Sequence, residues 1–366
     1  MRRVLCIVGA MDAGGAETFM MKVLRNVNNE VLSIDFAVSS PTKGLYEDEI
    51  AQLGGEVFHI TPKSVSFVKN FYDVYSLVRD NQYKNVLRVS QNALSGLELY
   101  AAWFAGAKVR AFRSSNSQTY SNSLKEKISH RVFKFFLNLV SNVKLAPSIE
   151  SAEFMFGKRM VKKNKVAIIK NGINTKEFLF NELQRNELRD EYKIPEDGFV
   201  IGHIGRFNKQ KNHKYLINVF HEVRTQRPIT HLFLVGQGEL MEEIKDYAET
   251  IGDFSYIHFL GVRKDIPKLL CLFDCLVFPS LFEGMPNTVI EAQASGLPCF
   301  VSDTITKDVA ITDLVTFISL QDTPSIWAEK ILSISPKQDR ESYKTMIDSK
   351  GYNIENTIND FVRLFV

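Results

Sequence analysis

Only four cysteines occur among 366 residues, too few for a disulfide scaffold in so long a chain. No Cys/His spacing suggests a zinc site. Cys271 and Cys275 lie four apart at the edge of a strand, and Cys6 and Cys299 sit in apolar strands. Buried, unreactive thiol is the expectation for all four. No apolar run approaches the roughly 20 residues that a membrane-spanning helix needs. No repeat of about 20–50 residues and no low-complexity segment is evident. Net charge is scarce too, with 45 Lys+Arg against 42 Asp+Glu. What is present is 45% hydrophobic and 24% charged residues, the composition of a globular chain with ample core. The length suits two or three domains of about 100–200 residues.

The even balance hides a split. Residues 111–170 hold 12 Lys+Arg against 3 Asp+Glu, whereas residues 171–366 hold 21 against 28. One basic stretch in such a chain implies an anionic partner: nucleic acid, an anionic membrane or an anionic substrate. Nucleic acid is disfavoured, because no reader motif accompanies the charge. Met1-Arg2-Arg3 followed by Val4 to Gly9 has the outline of a short signal peptide. The stretch is short, and a Gly-rich turn and an amphipathic helix follow at once. A buried first strand and a cytoplasmic chain with reduced thiols are the expectation.

Short apolar, β-branched runs alternate with helical patterns. Strands are predicted at Val4–Gly9, Leu32–Ser39, Glu56–Ile60, Asn85–Ser90, Val109–Arg113, Lys144–Pro147 and Val166–Lys170. A second series follows at Val200–Gly205, His231–Val235, Ile257–Leu260, Cys275–Pro279 and Pro298–Ser302. Helices are predicted between them, among others at Ala16–Asn26, Lys211–Arg224, Leu240–Thr250 and Asn287–Ser295. The pattern predicts an α/β protein with two doubly wound parallel sheets, each covered on both faces. The polar stretch Gly172–Asp197, with its Pro195–Gly198 turn signal, marks the seam. Residues 1–172, 173–350 and a final helical segment 351–366 are therefore expected as two domains and a tail packed on a neighbouring sheet. Parallel sheets take ligands at the carboxyl ends of their strands, and two facing sheets would put a cleft between the domains.

Four loops after strands carry candidate chemistry. In Met11–Glu17, Gly14 and Gly15 let the backbone turn tightly into a helix whose unpaired N–H groups favour an anion; a plain strand-to-helix turn is the other reading. In Gly205–His213, Arg206 and Lys211 can point at the strand end beside a helix N-terminus, a place for a diphosphate; a solvated basic loop is the alternative. Leu234–Leu240 is a further Gly-rich turn, with Gly236 and Gly238. The sharpest is Ser280–Glu291. Its loop carries Glu283, and the following helix carries Glu291, able to accept two hydrogen bonds from a vicinal diol such as a ribose. Dipole compensation and surface charge are the plainer reading of two such glutamates.

Glu283 and Glu291, seven residues between them, resemble the paired-glutamate motif of retaining GT-B glycosyltransferases, glycosyltransferase family 4. Gly205-Arg206 with Lys211, Leu234–Gly238 and Phe259–Ile266 occur in that family's order and spacing, and Gly14–Glu17 fits its N-terminal loop. The resemblance covers most of the chain and is closest to members that build bacterial exopolysaccharide, capsule or O-antigen units. Val301–Thr306 also resembles that subgroup.

The resemblance implies a GT-B fold, with an acceptor-binding N-terminal and a donor-binding C-terminal Rossmann-like domain. Arg206 and Lys211 would hold the donor diphosphate, Glu283 the donor sugar and Glu291 the ribose. The backbone near Val262 and Arg263 would meet the base, while Gly284, Met285, Pro286 and Asn287 would line the donor pocket. Gly14 and Gly15 would admit the diphosphate and sugar, and Glu17, Ser115 and Asn116 would face the acceptor. Many relatives carry a histidine after the fifth strand; here the stretch Ala111–Ser117 has none, and Arg113 or Ser115 takes its place. Arg113 donates hydrogen bonds but cannot take a proton. In this class the departing phosphate oxygen removes the acceptor proton, so Arg113 could help stabilise the leaving group.

No Asp-x-Asp occurs in the sequence. Glycosyltransferases of the other major fold use such a pair to hold a metal, so metal-independent transfer without a cofactor is expected, with Arg206, Lys211 and helix termini screening the diphosphate. Residues 121–140 are expected to form a basic amphipathic helix, with Leu124, Ile128, Val132, Phe135, Phe136 and Leu139 on one face and Lys125, Lys127, Arg131 and Lys134 beside it. Such a helix either packs on its domain or lies at an anionic bilayer. The expectation is a hexosyltransferase, cytoplasmic or peripheral on the inner face of the membrane, moving sugar from a nucleotide diphosphate sugar, UDP-linked by preference, to a lipid-linked saccharide. A sugar-nucleotide epimerase or hydrolase of the same architecture and a non-catalytic sugar-nucleotide binder are the rivals.

Overall fold

The computed structural model describes residues 2–12, 14–115, 124–334 and 339–365, with side chains from 128 onward in the helix that begins at 124. Asn116, residues 121–123 and the side chains of Leu124, Lys125 and Lys127 therefore lie outside the described residues. The chain forms two compact units, Met1–Ile173 with Ile354–Val366, and Asn174–Asn353.

In the first unit the strands are β1 (Arg2–Val8), β2 (Leu32–Val38), β3 (Val57–His59), β4 (Asn85–Ser90), β5 (Val109–Ser114), β6 (Val143–Ala146) and β7 (Ala167–Ile168). They pair in parallel in the order β3-β2-β1-β4-β5-β6-β7. Alternate residues of β1 serve opposite faces: Val4, Cys6 and Val8 enter one core, Leu5 and Ile7 the other. The first core is closed by Phe19, Met20 and Leu24 of the helix Gly15–Asn26 and by Ile354, Ile358 and Phe361 of the helix Ile354–Val362. Phe361 meets Phe19 edge-on at 6.3 Å, and the amide of Ile354 donates to Ile173 O at 2.9 Å. The other core takes Val74 and Val78 from the helix Phe67–Asp80, Leu99 and Ala102 from the helix Leu97–Phe104, and Leu137 and Val140 from the helix Leu124–Val140.

In that last helix Phe133, Leu137 and Val140 pack on the core, whereas Ile128, Val132, Phe135, Phe136 and Leu139 are exposed.

In the second unit β8 (Phe199–Ile204), β9 (Thr230–Val235), β10 (Ile257–Gly261), β11 (Cys275–Phe278), β12 (Cys299–Ser302) and β13 (Val315–Ile318) pair in parallel in the order β10-β9-β8-β11-β12-β13. Both sheets are doubly wound, as the alternation of apolar runs and helices predicts. β13 is the one strand the sequence pattern did not predict. It is a short edge strand, half-buried, so it lacks the continuous apolar run of its neighbours. The helix predicted from Lys211 also begins later. Lys209–Lys211 is a 3₁₀ turn, Asn212 adopts a left-handed φ of 57°, and the α-helix starts at His213. The four cysteines are free and buried.

Candidate active site

The carboxyl ends of β8, β9 and β11 bring three of the predicted loops together in the second unit. After β8, the amide of Gly205 donates to Val235 O at 2.9 Å and that of Phe207 to Gln237 O at 3.0 Å. The two Gly-rich loops thus run backbone against backbone. A Cβ on Gly236, at φ 140°, would lie 2.1 Å from Gly205 O, and one on Gly238 would lie 2.3 Å from Phe207 O. Glycine is required at both positions for this packing.

Arg206 leaves that junction for solvent. Its side chain is 69% exposed and stands 3.9 Å from Glu239. Lys211 turns the other way. Its Nζ donates to Glu283 Oε1 at 2.7 Å and stands 4.4 Å from the centre of the Phe278 ring. The two side chains are 16% and 13% exposed, so the pair is largely withdrawn from water.

Gln210 ties the loops further. Its carbonyl accepts from the amide of Leu281, and its side-chain Nε2 donates to Phe282 O, both at 2.8 Å. From the opposite side Thr304 Oγ1 donates to Ser280 O at 3.0 Å. Ser280–Phe282, the stretch leading into Glu283, is therefore held by Gln210 and Thr304. Gly284, Met285 and Pro286 are buried beyond it, and the helix Asn287–Ala294 starts after Pro286 with no side-chain cap. Its first-turn N–H groups keep their preference for negative charge. Glu291, one turn in, is half-buried. After β10, Val262 is exposed, while Arg263 is held by a two-pronged ion pair to Asp265 at 2.8 and 2.6 Å. That pairing pulls the Asp265 carboxyl below its usual range.

Beneath Lys211 lie two histidines. His203 Nδ1 is 2.9 Å from Val277 O, and the His213 ring stacks on Phe207 at 4.2 Å. Burial pushes His203 down to about 4, and burial with His203 and Lys211 nearby pushes His213 down to about 2. Both are neutral near pH 7 and add no charge beneath the cation.

In the first unit Gly14 and Gly15 open the first helix. The amide of Gly14 donates to Asp12 O at 2.8 Å, and Glu17 folds back so that Oε2 would lie 2.2 Å from a Cβ on Gly14. Ser115, just beyond β5, donates its amide to Ser90 O at 3.1 Å. Arg113 is fully buried. Its Nη2 donates to Asn171 Oδ1 at 2.6 Å and its guanidinium lies 3.6 Å from the centre of the Phe19 ring. Burial holds it down to about 9.

Comparison with known proteins decides the family. Residues 198–335 match the family described as "Glycosyl transferases group 1". Over 372 aligned residues, the chain is 30% identical to "Putative glycosyltransferase EpsF" of Bacillus subtilis (strain 168), covering 100% of this chain and 96% of that protein. This chain belongs to the group 1 glycosyl transferases. It is also 24% identical, over 82% of its length and 79% of the relative's, to the UDP-Gal:alpha-D-GlcNAc-diphosphoundecaprenol alpha-1,3-galactosyltransferase of Escherichia coli. Among solved structures, Anabaena Alr3699/HepE in complex with UDP-glucose superposes with a TM-score of 0.81 at 17% identity, over 99% of both chains. The fold is GT-B.

Within this glycosyltransferase the structure joins Lys211, Glu283 and the two Gly-rich loops, and it sets Arg206 at the same edge of the second sheet. Gln210, His203 and His213 carried no sequence signal. Gln210 acts through its carbonyl and an amide that any loop glutamine offers, and the two histidines read as isolated residues ten apart.

Proposed function

We propose that this glycosyltransferase is a retaining member of glycosyltransferase family 4. It transfers a hexose or N-acetylhexosamine from a UDP-sugar to a lipid-linked saccharide in bacterial surface polysaccharide synthesis. The observation that carries this reading is the ion pair of Lys211 with Glu283, on loops tied by Gln210, with the exposed Arg206 on the same loop as Lys211. Arg206 and Lys211 supply the charge for a diphosphate, and Glu283 an acceptor for sugar hydroxyls. Glu291 binds the ribose, and the backbone of Val262 and Arg263 meets the base. The named activity of the E. coli relative and the UDP-glucose bound to HepE support this choice of donor class.

In the proposed reaction the bond from the anomeric carbon to the diphosphate oxygen breaks, and one to the acceptor oxygen forms on the same face. The acceptor proton passes to the departing phosphate oxygen. The cations lower the barrier by stabilising charge on that leaving group. No metal is required in this reading. Transfer therefore survives a chelator, and chelator-sensitive turnover restored by manganese would contradict it.

The first unit holds the acceptor. The exposed face of Ile128, Val132, Phe135, Phe136 and Leu139, with Arg131 and Lys134 on the same helix, supports peripheral attachment to the inner face of the cytoplasmic membrane. No helix among the described residues is long and apolar enough to cross a membrane.

A screen of nucleotide sugars for thermal stabilisation, followed by transfer to lipid extract and assignment of the product anomer, tests the proposal. Stabilisation by no UDP-sugar, or a product of inverted configuration, would refute it. Flotation with anionic vesicles tests the membrane face, and equal recovery with neutral vesicles would remove it.

A further inference from the structure

A second polar cluster lies in the first unit and shares no residue with the Lys211–Glu283 site. β1 pairs with β2 on one side and β4 on the other, so the strand order reverses between β1 and β4. In an open parallel sheet the crevice at such a reversal, outside the carboxyl ends of the strands, is the preferred place for a ligand.

Two cations and one carboxylate occupy it. Lys63, from the loop after β3, has Nζ 3.1 Å from Glu98 Oε1 and 3.0 Å from Ser95 Oγ. Glu98 also pairs with Arg88 Nε. Arg88 is anchored at the end of β1, where its Nη1 donates to Ile7 O at 2.8 Å. Ser95 is held in turn by Ser90 Oγ at 3.0 Å, at the last residue of β4.

The charge does not balance, because one buried carboxylate faces two cations. Arg88 and Glu98 are almost entirely withdrawn from water, whereas the Lys63 side chain is 19% exposed. Lys63 is thus the member a ligand can reach. An ammonium has three donors, and among the described residues its partners are Glu98 and Ser95. Burial, and after it the neighbouring Arg88, hold it down to about 8. A buried excess charge is costly until an anion completes it.

We infer that Lys63, backed by Arg88 and positioned by Glu98 and Ser95, contacts the acceptor through a phosphate-class anion. The inference rests on the glycosyltransferase reading above and deepens it by naming the chemical group of the acceptor that is gripped. Glu98 has a second part in this arrangement. It neutralises the cluster when the subsite is empty and competes with the incoming anion.

The test is calorimetric titration of the full chain, saturated with UDP so that the donor site is occupied. The probes are inorganic pyrophosphate, farnesyl diphosphate and, as the uncharged control, farnesol. The wild type binds farnesyl diphosphate and not farnesol, and Lys63→Met weakens that binding at least tenfold. Glu98→Gln keeps the side chain's shape and removes its charge, so it tightens binding at least twofold. A purely structural role for the cluster does not predict that gain. Pyrophosphate binding as tightly as farnesyl diphosphate assigns the subsite to phosphate itself, and much weaker pyrophosphate binding assigns it to a lipid-borne phosphate. Both results support the inference. Equal affinity in wild type and Lys63→Met, or no binding of either phosphate by the wild type, overturns it. If Lys63→Met fails to fold, Lys63→Gln, which removes the charge and keeps a polar end for Ser95, carries the same comparison, and Glu98→Gln supplies the opposite one. UDP binding by the wild type is read in the same experiment, so a failed donor site and a failed acceptor subsite are told apart.

Discussion

Lys211 Nζ stands 2.7 Å from Glu283 Oε1, across 72 residues of sequence and between two loops of one sheet edge. The pair is mostly buried, so removing one partner leaves the other charge with little compensation. Lys211→Met is expected to cost about 2–4 kcal/mol of stability and at least a hundredfold in kcat. The double change Lys211→Met with Glu283→Leu should recover most of the stability and none of the transfer. Unfolding curves and initial rates on the four proteins of this cycle make the check. Recovery of transfer in the double variant would show that the pair is structural.

Arg206 presents the opposite case. It is exposed and stands 3.9 Å from Glu239. Arg206→Ala should change stability by less than about 0.5 kcal/mol. Loss of a charge-assisted hydrogen bond to a diphosphate costs roughly 1.5–3 kcal/mol, so UDP should bind about 10- to 100-fold more weakly. Calorimetric titration with UDP measures this, and unchanged affinity would remove Arg206 from the donor site.

The glycines of the second loop can be separated from ordinary turn glycines. A Cβ on Gly236 would meet Gly205 O at 2.1 Å, with no flexible side chain to give way. Gly236→Ala is therefore expected to destabilise by more than about 3 kcal/mol. Gly252 ends a helix at φ 88° with nothing within 4 Å of its Cβ. Gly252→Ala should cost only about 1–2 kcal/mol, the left-handed backbone penalty. Thermal unfolding of the two variants side by side tests the contrast.

The sheet architecture is legible in the sequence because buried parallel strands need apolar residues on both faces. β1 supplies two cores in alternation, so Val4 to Val8 read as one apolar run. β13 escaped because an edge strand buries only part of its surface. The start of the helix at His213 was hidden by a single backbone choice, the left-handed Asn212, which no hydrophobic pattern records. At the candidate site, motif spacing picked out Glu283 and Lys211 separately. Their contact, and the Gln210 tie between the loops, depend on how two loops meet and leave no local trace. Lys63, Arg88 and Glu98 were invisible for the same reason, since strand order rather than sequence order gathers them.

The two neutral histidines make the second unit sensitive to acid. His213 is buried, and among the described residues neither of its ring nitrogens has a hydrogen-bond partner, nor has His203 Nε2. In the folded state His203 takes a proton only near pH 4 and His213 only near pH 2. Unfolding frees both to bind a proton near 6.5. The unfolded chain thus holds more protons in the window below 6.5, and stability falls as pH drops through it, from 6.5 toward 4 for His203 and on toward 2 for His213. Each group contributes a slope of at most about 1.4 kcal/mol per pH unit. His213→Phe removes one such group and keeps a ring to stack on Phe207, now 4.2 Å from the imidazole. The variant should match or exceed the wild type in stability at pH 7, because no partnered hydrogen bond is lost. Between pH 6.5 and 4 its unfolding temperature should fall less steeply. Parallel acid limbs in the two proteins would mean that His213 takes up a proton in the folded chain, and that the neutral floor beneath Lys211 is wrongly drawn.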